Sequence, residues 1–254
     1  MDDTPIVDFH VHVGHWGRHG MTDEPERFLR AMDATGVDVA CINCIFFGDA
    51  RRGNDLVASI VEGHPTRFVG AAFVTPYYPE EAIAELDRAF DQLGMKFLKI
   101  YPPYFGRSVD DPAYFPIYEW CNERGTAVMS HQIFPWDPPG TTIERRFAAL
   151  SERFPNIRWV LAHAGAGGGR SRDAVAATKV SPNIYLETAS GGSVHGGFAE
   201  VVNRAGADKV LFGSDMPLFD VRIDIAKIVT ADISDDAKRK VLGLNAIELL
   251  GLEL

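Results

Sequence analysis

The sequence predicts a single-domain (β/α)8 TIM barrel, and three observations support that fold class. First, short apolar runs alternate along the chain with segments of helical amphipathic period. Second, these strand–helix units recur about every 25 to 32 residues, which is the spacing of βα units rather than of a small solenoid repeat. Third, eight units in 254 residues match the usual size of this barrel. A doubly wound open sheet shares this periodicity and is the structural alternative.

The strand candidates are rich in β-branched residues, as buried strands are. In chain order they are residues 6–13, 37–45, 67–74, 95–101, 126–131, 158–164, 184–189 and 209–215. The helical segments are residues 24–36, 53–65, 78–94, 113–125, 142–155, 170–183 and 196–208, and residues 223–252 supply the last helical material. Most of these segments end in Gly or Pro, as helix C-termini do. No proline- or glycine-rich linker divides the chain, so we expect one domain over residues 1–254.

The composition is that of an ordinary globular protein, with 46% hydrophobic and 24% charged residues. A formal net charge of −10 argues against nucleic acid or an anionic membrane as a partner, because either would require a basic face. The longest apolar stretches, such as residues 39–47, are far shorter than the roughly 20 residues of a membrane span. The acidic start, MDDTPIVDF, differs from a secretory signal, so we expect a cytoplasmic protein. The oligomeric state stays open, with a homodimer as one possibility.

The three cysteines do not predict a disulfide framework, because their number is odd. Cys41 and Cys44 form a CxxC pair, but they lie on a predicted strand, where residues three apart point to opposite faces. Redox chemistry and zinc binding both need the two thiols to converge, so neither role is expected there.

Ionisable residues stand at the carboxyl ends of the predicted strands, where the βα loops of a barrel build the active site. His10 and His12 close the first strand, and later strands end in His131, His163 and Asp215. Alternation along the first strand places its two histidines on one side, pointing into the barrel mouth. The residues expected on the other side, toward the helices, are Val7, Phe9, Val11 and Val13.

A single histidine on a strand is more often a hydrogen-bonded core residue than a metal ligand. Here several strand ends carry histidine or aspartate at once, and imidazoles with a carboxylate are typical ligands of a divalent metal. Their joint placement therefore favours a metal site at the predicted catalytic rim. Asp8 lies deeper in the first strand and is expected to be a hydrogen-bonded support.

These motifs together resemble the amidohydrolase superfamily, and within it the amidohydrolase-2 branch of small metal-dependent barrels. The DFHVH, SH, AHAG and FGSDMP motifs occur in the family's order, and NAIELLGL is similar to its usual end, so the resemblance covers nearly the whole chain. It implies one divalent metal ion, usually Zn²⁺. The ligands that the resemblance implies are His10, His12, His131 and Asp215. It also implies that His163 polarises the substrate or moves a proton.

Many members of that family hold a second metal ion through a carboxylated lysine on the fourth strand. Lys99, in FLKIYPP, is the candidate in this sequence. A lysine that binds a substrate anion, or a buried ion-pair lysine, is the favoured interpretation.

The predicted rim of the barrel is basic although the chain is acidic overall. The cations at or just after predicted strand ends are Arg51, Arg52, Lys99, Arg107, Arg170 and Arg172. Each alone suits a solvated loop, but with Tyr101, Tyr104 and Trp136 they favour a planar or unsaturated carboxylate. We therefore expect a small anionic substrate. The residues expected to bind it are Lys99, Arg51, Tyr101, Arg170 and Trp136.

The predicted function is a metal-dependent hydrolase that acts on a small ester, lactone or amide by metal-activated water, with Asp215 carrying the proton. The alternative is a non-oxidative decarboxylase of an aromatic or unsaturated acid, because the family also contains such enzymes and both chemistries share every ligand named above. A non-catalytic binding barrel is the third interpretation, and the complete ligand set argues against it.

Overall fold

Parallel strands alternate with helices around a barrel, which confirms the predicted fold class. The computed structural model describes residues 4–15, 21–131, 140–163, 169–189 and 195–254. The strands are β1 Val7–His12, β2 Val39–Asn43, β3 Phe68–Phe73, β4 Phe97–Ile100, β5 Ala127–Ser130, β6 Arg158–Leu161, β7 Ile184–Glu187 and β8 Val210–Leu211. Each strand lies inside its predicted segment and is shorter, because the predicted ends enter the loops of the rim.

The helices follow the predicted segments closely. They are α1 Pro25–Thr35, α2 Ala50–Gly63, α3 Pro79–Asp91, α4 Phe115–Arg124, α5 Ile143–Arg153, α6 Gly169–Val180, α7 Gly197–Ala205, α8 Val221–Val229, α9 Asp235–Arg239 and α10 Asn245–Leu250. The second begins earlier than predicted, because the Asp49 side chain caps it by accepting a hydrogen bond from the Arg52 amide at 3.2 Å. Among the described helices, none is both long and apolar enough to cross a membrane.

The sheet closes between β1 and the segment that follows β8. Each strand pairs with its neighbours in chain order. At the closing point, the Phe9 amide donates to the carbonyl of Phe212 at 2.9 Å, and the Asp215 amide donates to the carbonyl of His10 at 2.8 Å. The first strand and the segment after the last strand are therefore joined at the same level as the predicted metal ligands.

The apolar core has one part between the sheet and the helices and another inside the barrel, and β1 contributes to both. The pairing of β1 with β2 shifts in the middle of β1, so that Phe9 and His10 together face one residue of β2, as in a β-bulge. Val7 and Phe9 pack inside the barrel. The expectation that these two face the helices was wrong, because the extra residue breaks the simple alternation. Val11 and Val13 pack against the helices as predicted.

The C-terminal segment closes the opposite end of the barrel. A π-helical turn over Lys240–Leu244 leads into α10, where Leu249 and Leu250 join the apolar cluster inside the barrel. Gly243 in this turn packs against the backbone of Pro5 so closely that a Cβ atom would overlap the Pro5 carbonyl oxygen. Contact between the two ends of the chain therefore depends on a residue without a side chain.

Replacing Gly243 with alanine should destabilise the fold, because the new Cβ atom must displace the backbone of Pro5. We expect the free energy of unfolding, measured in urea, to fall by about 1–3 kcal/mol, the usual effect of overpacking. Gly63→Ala at the end of α2 is the matched control, since nothing lies within 4 Å of the position of its Cβ. Its effect should stay within about 1 kcal/mol. Equal unfolding midpoints for the two variants would contradict this prediction.

Candidate metal centre

Titratable side chains converge at the carboxyl ends of the strands, in a layer next to the apolar interior of the barrel. This barrel-mouth cluster consists of His10 and His12 of β1, Lys99 of β4, His131 after β5, His163 after β6, Glu187 of β7 and Asp215 after β8. Five of its members have relative exposures of 5% or less, and the other two, His131 and His163, are half-buried. The strands of a closed barrel bring their ends together, so residues far apart in the chain meet here.

Three donor atoms of this cluster lie close enough to share one ion. The Nε2 atom of His10 is 3.1 Å from the Nε2 atom of His12. The Oδ1 atom of Asp215 lies 3.5 Å from the first of these nitrogens and 2.9 Å from the second. Ligand atoms bound to one metal at about 2.0–2.2 Å are themselves about 3–3.5 Å apart, so this spacing fits a single divalent ion. The structure thus brings together three of the four predicted ligands.

Glu187 orients the His10 ring. Its Oε2 atom lies 2.9 Å from Nδ1 of His10, and because a carboxylate accepts the hydrogen bond there, the proton of the neutral ring is on Nδ1 and the lone pair on Nε2. Burial, and then the nearby charge of Lys99, lowers the pKa of His10 well below its usual value, which keeps the ring neutral. The Nζ atom of Lys99 lies 2.9 Å from the same Nε2 atom, as expected for a donor facing a lone pair.

His131 and His163 form a second pair at the mouth. Their Nε2 atoms are 3.2 Å apart, and Nδ1 of His163 lies 3.3 Å from the backbone carbonyl of Ala189, which can only accept a hydrogen bond. Burial lowers the pKa of both rings, to about 4 for His163. The Tyr101 ring packs against His131, with centroids 4.5 Å apart. Metal binding by His131 stays a prediction, because among the described residues it belongs to no compact group of three donor atoms.

His163 and Asp215 hold left-handed backbone conformations, each with a φ of 60°. Residues other than glycine rarely adopt this region, and those that do are concentrated at functional sites. Hydrogen bonds from their backbone amides hold both conformations. The Asp215 amide donates to the backbone carbonyl of His10, and the His163 amide donates to the Glu187 carboxylate at 3.2 Å. The two predicted catalytic residues are therefore aimed by constrained loops rather than by regular strands.

Burial perturbs the carboxylates and the lysine of the cluster. It raises the pKa of Glu187 and lowers that of Lys99, and the opposite charge of each partly opposes the shift of the other. Burial also tends to raise the pKa of Asp215, but contact with His12 holds it below its usual value. Sequence reasoning missed Glu187, although it is the only charged residue of the seventh predicted strand and stands near its carboxyl end.

Asp8 is a hydrogen-bonded support, as predicted. Its Oδ1 atom accepts hydrogen bonds from the amides of Ser214 at 2.9 Å and His10 at 3.2 Å, and its Oδ2 atom accepts one from the Ser214 hydroxyl at 2.5 Å. Burial raises the pKa of Asp8 to about 7. This side chain ties the bulge of β1 to the loop that carries Asp215.

A small cavity of about 80 Å³ opens beside the cluster. Among the described residues, its aromatic walls are Phe46, Tyr101 and Tyr104, and His163 and Asp215 also line it. Of the predicted substrate-binding residues, Tyr101 is therefore at the mouth, while Lys99 is buried within the cluster. A flat ligand entering this cavity would meet the titratable groups directly.

The other predicted substrate-binding residues are not brought to this cavity by the described part of the chain. Arg51 is exposed at the start of α2 and lines a separate groove of about 790 Å³ with Tyr77 and Tyr78. Trp136 lies outside the described residues, and so does the side chain of Arg170, whose backbone belongs to α6. These three assignments stay predictions.

Several solved structures share this architecture. A 5-carboxyvanillate decarboxylase from Sphingomonas paucimobilis has a TM-score of 0.76 at 21% identity, covering 98% of this chain and 100% of that chain. A 2,6-dihydroxybenzoate decarboxylase complexed with 2,6-dihydroxybenzoate has a TM-score of 0.77 at 18% identity, with the same coverage. A dihydroxybenzoic acid decarboxylase from Polaromonas sp. JS666, with bound manganese and 2-nitroresorcinol, has a TM-score of 0.78 at 19% identity, covering 98% and 97%. At these identities the likeness establishes the fold alone.

A curated protein is similar in sequence. The 2-amino-3-carboxymuconate-6-semialdehyde decarboxylase of Dictyostelium discoideum is 28% identical over 238 residues, covering 79% of this chain and 66% of that protein. This chain thus spans about two thirds of the relative's length. The relatives described here are decarboxylases, so the expectation of a metal-dependent hydrolase was wrong. The ligand motifs did not discriminate between the two activities, because the resemblance implies the same ligands for hydrolysis and for decarboxylation.

A match to a protein-family model covers nearly the whole chain and establishes its family. A model of the amidohydrolase family Amidohydro_2 matches residues 7–252. This span runs from the start of β1 to beyond α10, and it includes every member of the barrel-mouth cluster. The chain therefore belongs to the Amidohydro_2 family of amidohydrolases.

Proposed function

We propose that this protein is a metal-dependent, non-oxidative decarboxylase of a small aromatic or unsaturated carboxylic acid. The observation that carries the proposal is the buried barrel-mouth cluster, in which His10, His12 and Asp215 offer one ion a shared set of donor atoms beside an aromatic-walled cavity. The similar sequence of a curated decarboxylase supports this chemistry.

His10, His12 and Asp215, with His131 as the fourth predicted ligand, would hold one divalent ion. Imidazoles with a carboxylate suit zinc, which is the ion we expect, and manganese is the ion in one structural relative. When bound, the ion would orient the substrate carboxylate and stabilise the negative charge that develops during the reaction.

Decarboxylation breaks the bond between the carboxylate carbon and its neighbour. Carbon dioxide leaves without the electron pair of that bond, so the neighbouring carbon must receive one proton. His163 is the proposed proton carrier, because its Nδ1 proton is directed to the Ala189 carbonyl, which leaves the lone pair on Nε2, and because its ring lines the cavity beside Asp215. Asp215, whose contact with His12 keeps it ionised, is the proposed base for a proton from the substrate or from water.

The cavity walls favour a flat substrate. Aromatic rings pack well against other π systems, and Phe46, Tyr101 and Tyr104 border the opening. Lys99 adds a buried positive charge within the cluster, which favours an anion at this depth. Tyr101 and Lys99 are therefore the proposed substrate contacts.

Release of carbon dioxide from a panel of acids tests the proposal. Metal-loaded protein should convert 2-amino-3-carboxymuconate-6-semialdehyde, 2,6-dihydroxybenzoate, 5-carboxyvanillate or a related unsaturated acid to the product that lacks one carboxyl group. His163→Asn, loaded with the same metal, should be slower by about 10²–10⁴-fold, as expected when a proton carrier is lost. A metal-loaded parent that releases no carbon dioxide from any of these acids would refute the proposal.

Metal content should separate the ligands from the proton carriers. The parent should bind about one divalent ion per chain, since the four predicted ligands complete one shell. His12→Ala should lose metal and activity together, whereas Asp215→Asn should keep much of its metal while turnover falls by about 10²–10⁴-fold. His64→Ala, at the end of α2, is the control and should match the parent. Two ions per chain with a carboxylated Lys99 would be inconsistent with this prediction.

A further inference from the structure

Glu187 is a fully buried carboxylate held by several strand ends at once. Its Oε2 atom lies 2.9 Å from Nδ1 of His10 and accepts a hydrogen bond from the backbone amide of His163 at 3.2 Å. Its Oε1 atom accepts one from the backbone amide of Ala189. Gly213 leaves room for this group, because a Cβ atom there would overlap Oε1 and lie 2.9 Å from the Cβ of His10. The surrounding segments thus form a pocket shaped for a carboxylate.

In these contacts both carboxylate oxygens of Glu187 must act as hydrogen-bond acceptors. Two of the partners are backbone amides, which can only donate. His10 therefore makes its best hydrogen bond as an Nδ1–H donor, which leaves the lone pair on its Nε2 atom. That Nε2 atom is the one that lies 3.1 Å from His12 and 3.5 Å from Asp215.

We propose that Glu187 is a positioning residue of the metal centre. It fixes the tautomer in which His10 presents Nε2 to the ion, and its hydrogen bond to the His163 amide holds the left-handed backbone of that residue. It acts through these two histidines and binds neither metal nor substrate. The inference deepens the proposed function and rests on it, because it takes His10 to be a metal ligand.

Direct coordination by Glu187 is the competing interpretation. Donor atoms of Glu187, His10 and His163 lie within 4.8 Å of one another, which is close enough for an ion. An ion there would replace the proton that joins the His10 ring to the carboxylate. The separation of 2.9 Å between Nδ1 and Oε2 is that of a direct charge-assisted hydrogen bond, so the positioning role is favoured.

Glu187→Gln tests the role, because glutamine keeps the size of the side chain but has one acceptor oxygen and one NH₂ donor. Whichever way its amide lies, the NH₂ group faces an N–H donor, either Ala189 or the pair His10 and His163. With the NH₂ group toward His10, the ring relieves the conflict by moving its proton to Nε2, which removes the lone pair from the ion. With the NH₂ group toward Ala189, His10 keeps a neutral amide oxygen in place of its charged partner, which lowers the basicity of Nε2 toward the ion. We expect the dissociation constants for Zn²⁺ and Mn²⁺, measured by competition with a chromophoric chelator, to rise about 10–100-fold.

Glu85→Gln is the matched control, since Glu85 is another buried carboxylate, held by Asn54 and Arg88 outside the barrel-mouth cluster. It should keep the parent's metal affinity even where its melting temperature falls. The ring ¹⁵N resonances of the metal-free protein provide a second readout, with those of His10 assigned from a His10→Gln variant. They should show the Nδ1–H tautomer in the parent and in Glu85→Gln. In Glu187→Gln they should show either the other tautomer or an Nδ1 resonance shifted by the loss of the charged partner.

The outcomes separate this inference from the proposed function. Unchanged metal affinity and an unchanged His10 tautomer in Glu187→Gln would overturn the inference, while release of carbon dioxide by the parent would leave the proposed function intact. Two ions in the parent and one in Glu187→Gln would overturn the inference in favour of direct coordination. If affinity and tautomer change as expected but no acid is decarboxylated, the positioning role holds and the proposed function fails.

Discussion

The seam between β1 and the segment after β8 is the contact on which the rest of the site depends. The Phe9 amide donates a hydrogen bond to the carbonyl of Phe212, and the Asp215 amide donates one to the carbonyl of His10. These bonds place a carboxylate near the end of the chain against histidines near its start. The bulge of β1 acts at the same place, because it lets two consecutive residues point inward. Phe9 fills the apolar interior while His10 enters the layer of titratable groups. If side chains alternated regularly along β1, Phe9 and His10 would point to opposite faces of the strand.

Most side chains of the barrel-mouth cluster are buried, and burying a charge is costly unless a partner compensates it. The compensation within the cluster is spread over several strands: Lys99 supplies positive charge, and Asp215 and Glu187 supply carboxylates. Burial lowers the pKa of His10, His131 and His163, which favours their neutral form. Each oxygen of Glu187 lies against at least one N–H donor, which compensates the negative charge of the carboxylate. A divalent ion beside Nε2 of His10 would meet a neutral imidazole with its lone pair on that atom, which is the state that metal binding requires.

The failed expectation of a hydrolase shows what ligand motifs indicate and what they leave open. Histidine and aspartate at the strand ends indicate an ion and a place for a proton, and the family resemblance implies both for hydrolysis and for decarboxylation. Which bond breaks depends on how the substrate lies against the ion, and therefore on the loops that shape the cavity, such as the segment of Tyr101 and Tyr104. The sequence relative carries information about those loops that short motifs lack, since the match extends over 79% of the chain.

The sequence by itself determined the barrel and the order of its strands, because hydrophobic periodicity is a local property. It also determined at which strand ends the histidines lie, and the carboxyl ends of barrel strands meet on one face. It also indicated Asp8 as a support. Only the tertiary structure decided which groups touch. The bulge of β1 depends on pairing with β2, the role of Glu187 depends on the space left by Gly213, and the position of Arg51 beside a separate groove depends on where α2 begins. These are properties of contacts between segments distant in the chain, and no local pattern of residues encodes such a contact.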